Sequence, residues 1–381
     1  MSPRVDPSGY PRLQRGGGIR LGSVAGIDVN VANSWFLVVG LIAIVMAPRI
    51  QLVAPELGSW AYLAGGAFAV LLYVSVLLHE ISHALAARAF KMSVRSINLD
   101  FLGGATQIEG EASTPWREFV IAVVGPITSL AIGAAAWLLT DLFEPGLPGF
   151  AVASLAGANL VLGVLNLVPG LPLDGGRVLQ SVVWGVTRRR SLGVTVAAWG
   201  GRVAAVVAVL YPALLLPAFG RQPDFVDYLF GFMIGAFLWA GATQALVMAR
   251  LRSKLPALQA RKLARSAIGV PADLPVAEAV RRAQEAHAGS LVVVTSAGQP
   301  AGIVNEAAVL STPPERRPWL PCGDLARRLE DGLSLPADLG GEDLLRAMSG
   351  TPATEYLLTE ADGSIFGVLV AKDVDAAFKA A

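Results

Sequence analysis

Residues 59–84 read SWAYLAGGAFAVLLYVSVLLHEISHA. Positions 59–78 contain no Asp, Glu, Lys, Arg or His, and His79, Glu80 and His83 follow at once. An apolar run of about 20 residues, rising 1.5 Å per residue as a helix, crosses a hydrocarbon core of about 30 Å. Ionisable groups at the end of such a run are costly to bury and usually functional. Further runs free of ionisable residues cover 29–48, 119–140, 145–173 and 228–249, and 191–220 is broken only by Arg202. These runs predict a polytopic α-helical membrane protein with six transmembrane helices. The chain of 381 residues is 54% hydrophobic and 15% charged, against a usual charged share of about 25%. That balance excludes a disordered chain and argues against a soluble enzyme. A net charge of +1 gives no electrostatic reason to expect nucleic acid. The lone Cys322 excludes an intramolecular disulfide framework and a four-cysteine zinc site.

Lys and Arg set the expected orientation. Arg4, Arg12, Arg15 and Arg20 precede the first span. Arg88, Lys91, Arg95 and Arg117 lie between the second and third, and Arg177 and Arg188 to Arg190 between the fourth and fifth. Arg250, Arg252 and Lys254 follow the sixth, while the opposite side carries only Arg49 and Arg221 among several acids. Both termini are therefore expected to be cytoplasmic. The polar, glycine-rich segment 1–28 does not read as a secretory signal, because no small-residue cleavage site follows the first apolar run. Composition divides the chain into that segment, a membrane core at 29–254 and a charged tail at 255–381.

H-E-x-x-H puts His79 and His83 one helical turn apart on one face, where two imidazoles reach a single Zn²⁺. Glu80 on the adjoining face suits a general base. With three histidines in the chain, such a match arises by chance on the order of once in a thousand chains. Tetrahedral zinc needs a further protein ligand. His287 lies in the tail, which leaves the acid in NLVPGLPLDGGRV, Asp174, at the same end of the fourth span. The alternative is a capping Asp in a helix-ending loop, where Pro169 and Pro172 stop the helix and Gly175 and Gly176 permit a turn. Gly125 and Pro126 read as a close-packing or kink site, and Arg202 as a residue snorkelling to the interface.

On these residues the chain resembles the site-2 proteases, intramembrane zinc metalloproteases, in the branch with C-terminal tandem CBS domains. His79, Glu80 and His83 match the first motif of that family. Asn166, Pro169, Pro172, Leu173, Asp174 and Gly175 match the second, and the segments FLGG at 101–104 and VVGP at 123–126 also agree. The resemblance implies one Zn²⁺ held by His79, His83 and Asp174, with Glu80 catalytic and Asn166 helping to hold substrate. It implies cleavage of a single-span membrane protein, such as an anti-sigma factor or a membrane-tethered transcription factor, releasing a signalling fragment. The alternating segment 93–115, with Gly103 and Gly104, is expected to form a small re-entrant β-sheet whose edge takes up the substrate as an added strand.

The tail carries strand–turn–strand–helix twice, with a period near 65 residues, around SLVVVTSAGQPAGIVNEAAVL and EYLLTEADGSIFGVLVAKDVDAAF. Gly298 and Gly363 are the turn residues. This soluble α/β module, at about 257–312 and 320–381, resembles tandem CBS domains, which implies adenine nucleotide binding and pairing into a homodimer. Asp373 fits the acid of the family's ribose-binding pattern, but Val370 replaces the hydroxyl, and the first repeat has Asn305 and Ala308 where hydroxyl and acid are expected. The Ala-, Gly-, Arg- and Val-rich composition suits a prokaryote. A CBS-regulated metal-binding transporter or channel without proteolysis is the alternative function, and the Glu between the histidines favours hydrolysis.

Overall fold

The computed structural model describes residues 18–101 and 103–380. Arg4, Arg12, Arg15 and Leu102 lie outside them. The chain divides into two compact units, Met1–Ala249 and Arg250–Ala381.

The first unit opens with two strands, β1 (Gly18–Val24) and β2 (Ile27–Ala32), followed by helices α1 (Ser34–Val53) and α2 (Ala61–Ala89). β3 (Val94–Asp100) and β4 (Gly103–Ile108) come next, then α3 (Pro115–Leu139), α4 (Leu147–Asn166), α5 (Asp174–Thr187), α6 (Arg190–Ala218) and α7 (Phe225–Lys254). Six of these helices, all but the short α5, are long and apolar enough to cross a membrane. The chain is a multi-pass membrane protein. Its helix contacts are made by small residues: Ala47, Ala61, Ala69, Ala84, Ala87, Ala122, Ala156, Ala197 and Ala242 are all fully buried. Large side chains such as Leu37, Leu63, Leu138 and Phe232 face outward. That inversion is expected in lipid, where close backbone approach, not apolar burial, holds helices together. α3 begins where Thr114 accepts the Arg117 N–H and Pro115 presets the first turn.

Three boundaries differ from the sequence reading. Residues 29–32, assigned to the first span, are strand, and residues 18–28 of the N-terminal segment are part of the core, because β1 and β2 join β3 and β4 in one sheet of order β1-β2-β3-β4. β2 runs parallel to β3, with Asp28 opposite Ser96 and Val31 opposite Leu99. The alternation Ile27, Val29, Val31 puts one face of β2 against Tyr73, Ala84, Ile97 and Leu99. The fourth span stops at Asn166, short of the apolar run's end at 173, and Asp174 begins a further helix, α5, that the spacing of apolar runs does not announce. The expected re-entrant sheet is therefore four-stranded, with β4 as an edge.

The second unit runs α8 (Ala260–Leu263), β5 (Ala267–Pro271), α9 (Val276–Glu285), β6 (Ser290–Val294), β7 (Pro300–Val304), α10 (Glu306–Ser311) and β8 (Ala326–Arg328). It continues with β9 (Ser334–Pro336), α11 (Gly341–Gly350), β10 (Glu355–Thr359), β11 (Ile365–Val370) and α12 (Ala371–Ala380). It forms two sheets, β5-β6-β7-β8 and β9-β10-β11. In each, the first strand is parallel to the second and the next hairpin is antiparallel. The hairpins turn on Gly298 and Gly363, at φ 77° and 82°. Residues preceding each repeat cross over: β8 pairs with β7, and Arg265 bridges Val368 of β11. Val292, Ile303, Leu357 and Val368 form the apolar seam joining the repeats.

Candidate metal centre

α2 continues unbroken past the membrane-spanning run, so His79, Glu80 and His83 stand on its last turns, at 4%, 7% and 4% exposure. His79 Nε2 and His83 Nε2 are 3.1 Å apart, and Asp174 Oδ2 lies 3.1 and 3.2 Å from them. The three donor atoms can share one metal ion. The other ring nitrogens set the tautomers. His83 Nδ1–H donates to Ile121 O at 2.5 Å, and His79 Nδ1–H donates to Ser129 Oγ at 2.9 Å. Each imidazole thus turns a bare Nε2 lone pair toward the Asp174 carboxylate. Three lone pairs meeting in a buried space repel unless a cation lies among them. Around zinc, with bonds of about 2.0–2.1 Å, tetrahedral ligand atoms lie about 3.3 Å apart, close to the observed spacing. The donor set therefore fits Zn²⁺.

One stripe of α3 builds the wall of this space. Ile121, Gly125 and Ser129 recur every four residues, and a Cβ on Gly125 would fall 2.2 Å from His83 Nε2 and 2.6 Å from His79 Nε2. Pro126 has no N–H for the Ala122 carbonyl, so the helical ladder is open beside Ile121 O, which accepts from His83. Gly125, read from the sequence as a packing residue, is where α3 makes room for the donors. The sequence reading missed Ile121 O and Ser129; the four-residue spacing from Gly125 was the available signal for Ser129.

Asp174 is fixed from two sides. The α5 turn packs so closely that a Cβ on Gly175 or Gly176 would meet the backbone of residues 167–171 at 2.2–2.4 Å. Leu171 N–H donates to Ala197 O of α6 at 2.9 Å. Arg177 Nε, one turn after Asp174, donates to buried Glu118 Oε1 at 3.0 Å and ties α5 to α3.

The sheet edge supplies the remaining neighbour. Thr106 Oγ1–H donates to Glu80 Oε2 at 2.6 Å, and a Cβ on Gly104 would lie 2.4 Å from Glu80 Cγ. β4 therefore runs directly over Glu80. Gly103 is also in β4. Asn166 ends α4, half-buried, with no side-chain hydrogen bond among the described residues. His287 is exposed after α9 and takes no part. In the second unit, Asp373 receives Arg265 Nε at 2.7 Å and Arg265 Nη2 at 3.0 Å, while Arg265 Nη1 donates to Glu306 at 2.7 Å. The guanidinium holds the Asp373 carboxyl below its usual range, and burial pushes that of Glu355 up.

The family model for peptidase family M50 matches residues 67–148 and 141–211, which include all four of these α2 and α5 side chains. A Synechocystis protein named as a zinc metalloprotease is 28% identical over 363 residues, covering 92% of this chain and 93% of its own length. The zinc metalloprotease Rip3 of Mycobacterium tuberculosis is 37% identical over 233 residues, covering 59% of this chain and 58% of its own. The solved site-2 protease from Methanocaldococcus jannaschii is similar at 23% identity, over 60% of this chain and 95% of that one, with a TM-score of 0.42. Residues 67–211 match the model of peptidase family M50, and with its six apolar spans the chain is a membrane-embedded zinc metalloprotease, as the relatives it resembles are named.

Proposed function

We propose that His79, His83 and Asp174 hold one Zn²⁺ and that Glu80 is the general base of a peptide hydrolysis at the membrane's edge. The convergence of two bare Nε2 atoms and one carboxylate oxygen within 3.2 Å supports this reading. Zinc bound there supplies a Lewis acid, lowering the pKa of water from about 15.7 to about 7 and polarising the scissile carbonyl. Glu80 takes the proton of the attacking water and returns it to the leaving amine. Thr106 occupies Oε2, so Oε1 is the oxygen left to move the proton.

The substrate is a single-span membrane protein, and its cleaved segment adds as a strand to β4 past Gly103 and Gly104, beside Glu80. An intact helix offers no free carbonyl, since each is bonded within the ladder; a strand on a free edge does. Asn166 is proposed to hold the substrate from α4. The Lys and Arg distribution supports a reading in which both termini and this site face the cytoplasm, and the fragment released is a soluble regulator. Co-expression with candidate single-span regulators, wild type against Glu80→Gln, tests the reading: fragment must appear with the first and not the second.

Thr106 is the positioning residue for Glu80. Thr106→Val is expected to lower kcat about tenfold, the value of one hydrogen bond to a charged group, with KM and zinc content unchanged and Thr106→Ser restoring the rate. A change confined to KM would place Thr106 in substrate docking alone. A proline at this position would break strand and base together, so it does not isolate strand addition.

For an adenine nucleotide in the CBS module, Asp373 would accept from ribose hydroxyls. Both its oxygens already accept from Arg265. Titration of ATP or AMP into the full chain is therefore expected to give no saturable heat at millimolar concentration, and Arg265→Ala is expected to unmask binding. Saturable heat in the wild type would mean that nucleotide displaces the guanidinium.

A further inference from the structure

Arg202 lies within the span α6, about 18 Å along the axis from Arg190 at 1.5 Å per residue. Its guanidinium sits 4.9 Å from the ring of Trp199 and 4.9 Å from that of Trp239 on α7. Nη2 donates to Thr243 Oγ1 at 3.3 Å, and Nε is buried without a partner. Among the described residues no carboxylate pairs with it. A full charge inside a bilayer with no counter-charge is costly, so the protein presents a cation that lacks its anion.

The surroundings indicate which anion. Trp199 and Trp239 are 55% and 47% exposed, so the cation opens toward lipid. Helical side chains lean toward the N-terminus, which aims Arg202 at the end of the membrane where α6 begins. On the other side of Trp239, deeper along both helices, an apolar groove of about 290 Å³ runs between Ala205, Val209, Phe232, Gly235 and Ala236. Charge and groove share one wall and follow one another along the membrane normal, head outward and apolar slot inward. A helix about 10 Å across does not fit such a slot; part of an acyl chain does.

We propose that Arg202 and this groove bind one anionic phospholipid. Its phosphate accepts from the Nη groups, the Thr243 hydroxyl donates to the same headgroup, and an acyl chain lies in the groove. The site bears on the metal centre. Gly200 and Gly201, adjoining Arg202, would each bring a Cβ within 2.1 and 1.9 Å of the Pro169 and Leu171 carbonyls, in the loop that leads to Asp174. A lipid holding α6 in place thus steadies that loop. The proposal needs only the membrane embedding and not the reading of the hydrolysis.

The test is native mass spectrometry of the delipidated full chain given equal phosphatidylglycerol and phosphatidylcholine with identical acyl chains. The wild type is expected to retain one phosphatidylglycerol with about tenfold preference, the worth of one charge-assisted hydrogen bond. Arg202→Gln is expected to erase the preference. Ala236→Trp, at an exposed position that fills the groove, should reduce retention of both lipids and leave their ratio unchanged. Equal retention of the two lipids by the wild type overturns the proposal. So does an unaltered preference in Arg202→Gln, and so does a lipid count unchanged in that variant beside a raised KM for a single-span protein the wild type cleaves, which would assign the guanidinium to the substrate.

Discussion

Purified Glu80→Gln protein is expected to carry as much zinc as the wild type and to cleave on the order of 10²- to 10⁴-fold more slowly. That is the range a positioned general base contributes, equivalent to about 3–5 kcal/mol of barrier at 1.36 kcal/mol per tenfold. The substitution is suited to the question because little else changes. Glu80 is 7% exposed and touches the sheet through Thr106. A glutamine oxygen accepts the same Thr106 hydroxyl, so β4 keeps its seat. The amide cannot take a proton from water, and it contributes no ligand to the triad. Metal analysis and fragment release are read on the same preparation. Cleavage within tenfold of wild type would remove Glu80 from the chemistry, whereas loss of zinc would make it part of the donor set.

Gly125→Ala is the second large effect. One methyl would stand 2.2 Å and 2.6 Å from the two Nε2 atoms, where real carbon contacts are well beyond 3 Å. Neither imidazole can turn away without giving up its Nδ1 bond, to Ile121 O or to Ser129 Oγ. α3 is held as well, by the Arg177 bond to Glu118 two turns earlier. Zinc content is therefore expected to drop from one equivalent per chain to a small fraction, with cleavage lost in proportion. Helical content should persist, because alanine is the better helix former. A full equivalent of tightly held zinc in this variant would show that α3 yields, and the cradle would then be softer than its packing implies.

Much of this architecture was legible because lipid imposes a simple code: apolar runs of the right length gave the helices, and two histidines one turn apart gave the face. The repeat in the tail was equally plain, since Ser290–Val294 and Glu355–Thr359 share their strand pattern 65 residues apart. What escaped depends on pairings distant in sequence. β1 is exposed and carries two glycines, and the short alternation of β2 ran into the first apolar span until its pairing with β3, 68 residues further on, set it apart. α5 is amphipathic and too short to span, so it merged with the loop around Asp174. Thr106 and Ser129 look like ordinary hydroxyl residues until a sheet edge and a helix stripe bring them to Glu80 and His79. Asp373 was readable as an acceptor; the Arg265 that occupies it lies 108 residues away.

β2 leads into α1 and β3 leaves α2, so their four paired positions, from Asp28–Ser96 to Val31–Leu99, close a buckle across one helical hairpin. Prising α1 from α2 at that end would have to unfasten the buckle first. On the proposed strand addition, a visiting chain meets a shut door on that flank and crosses along the outer rim of β4 instead.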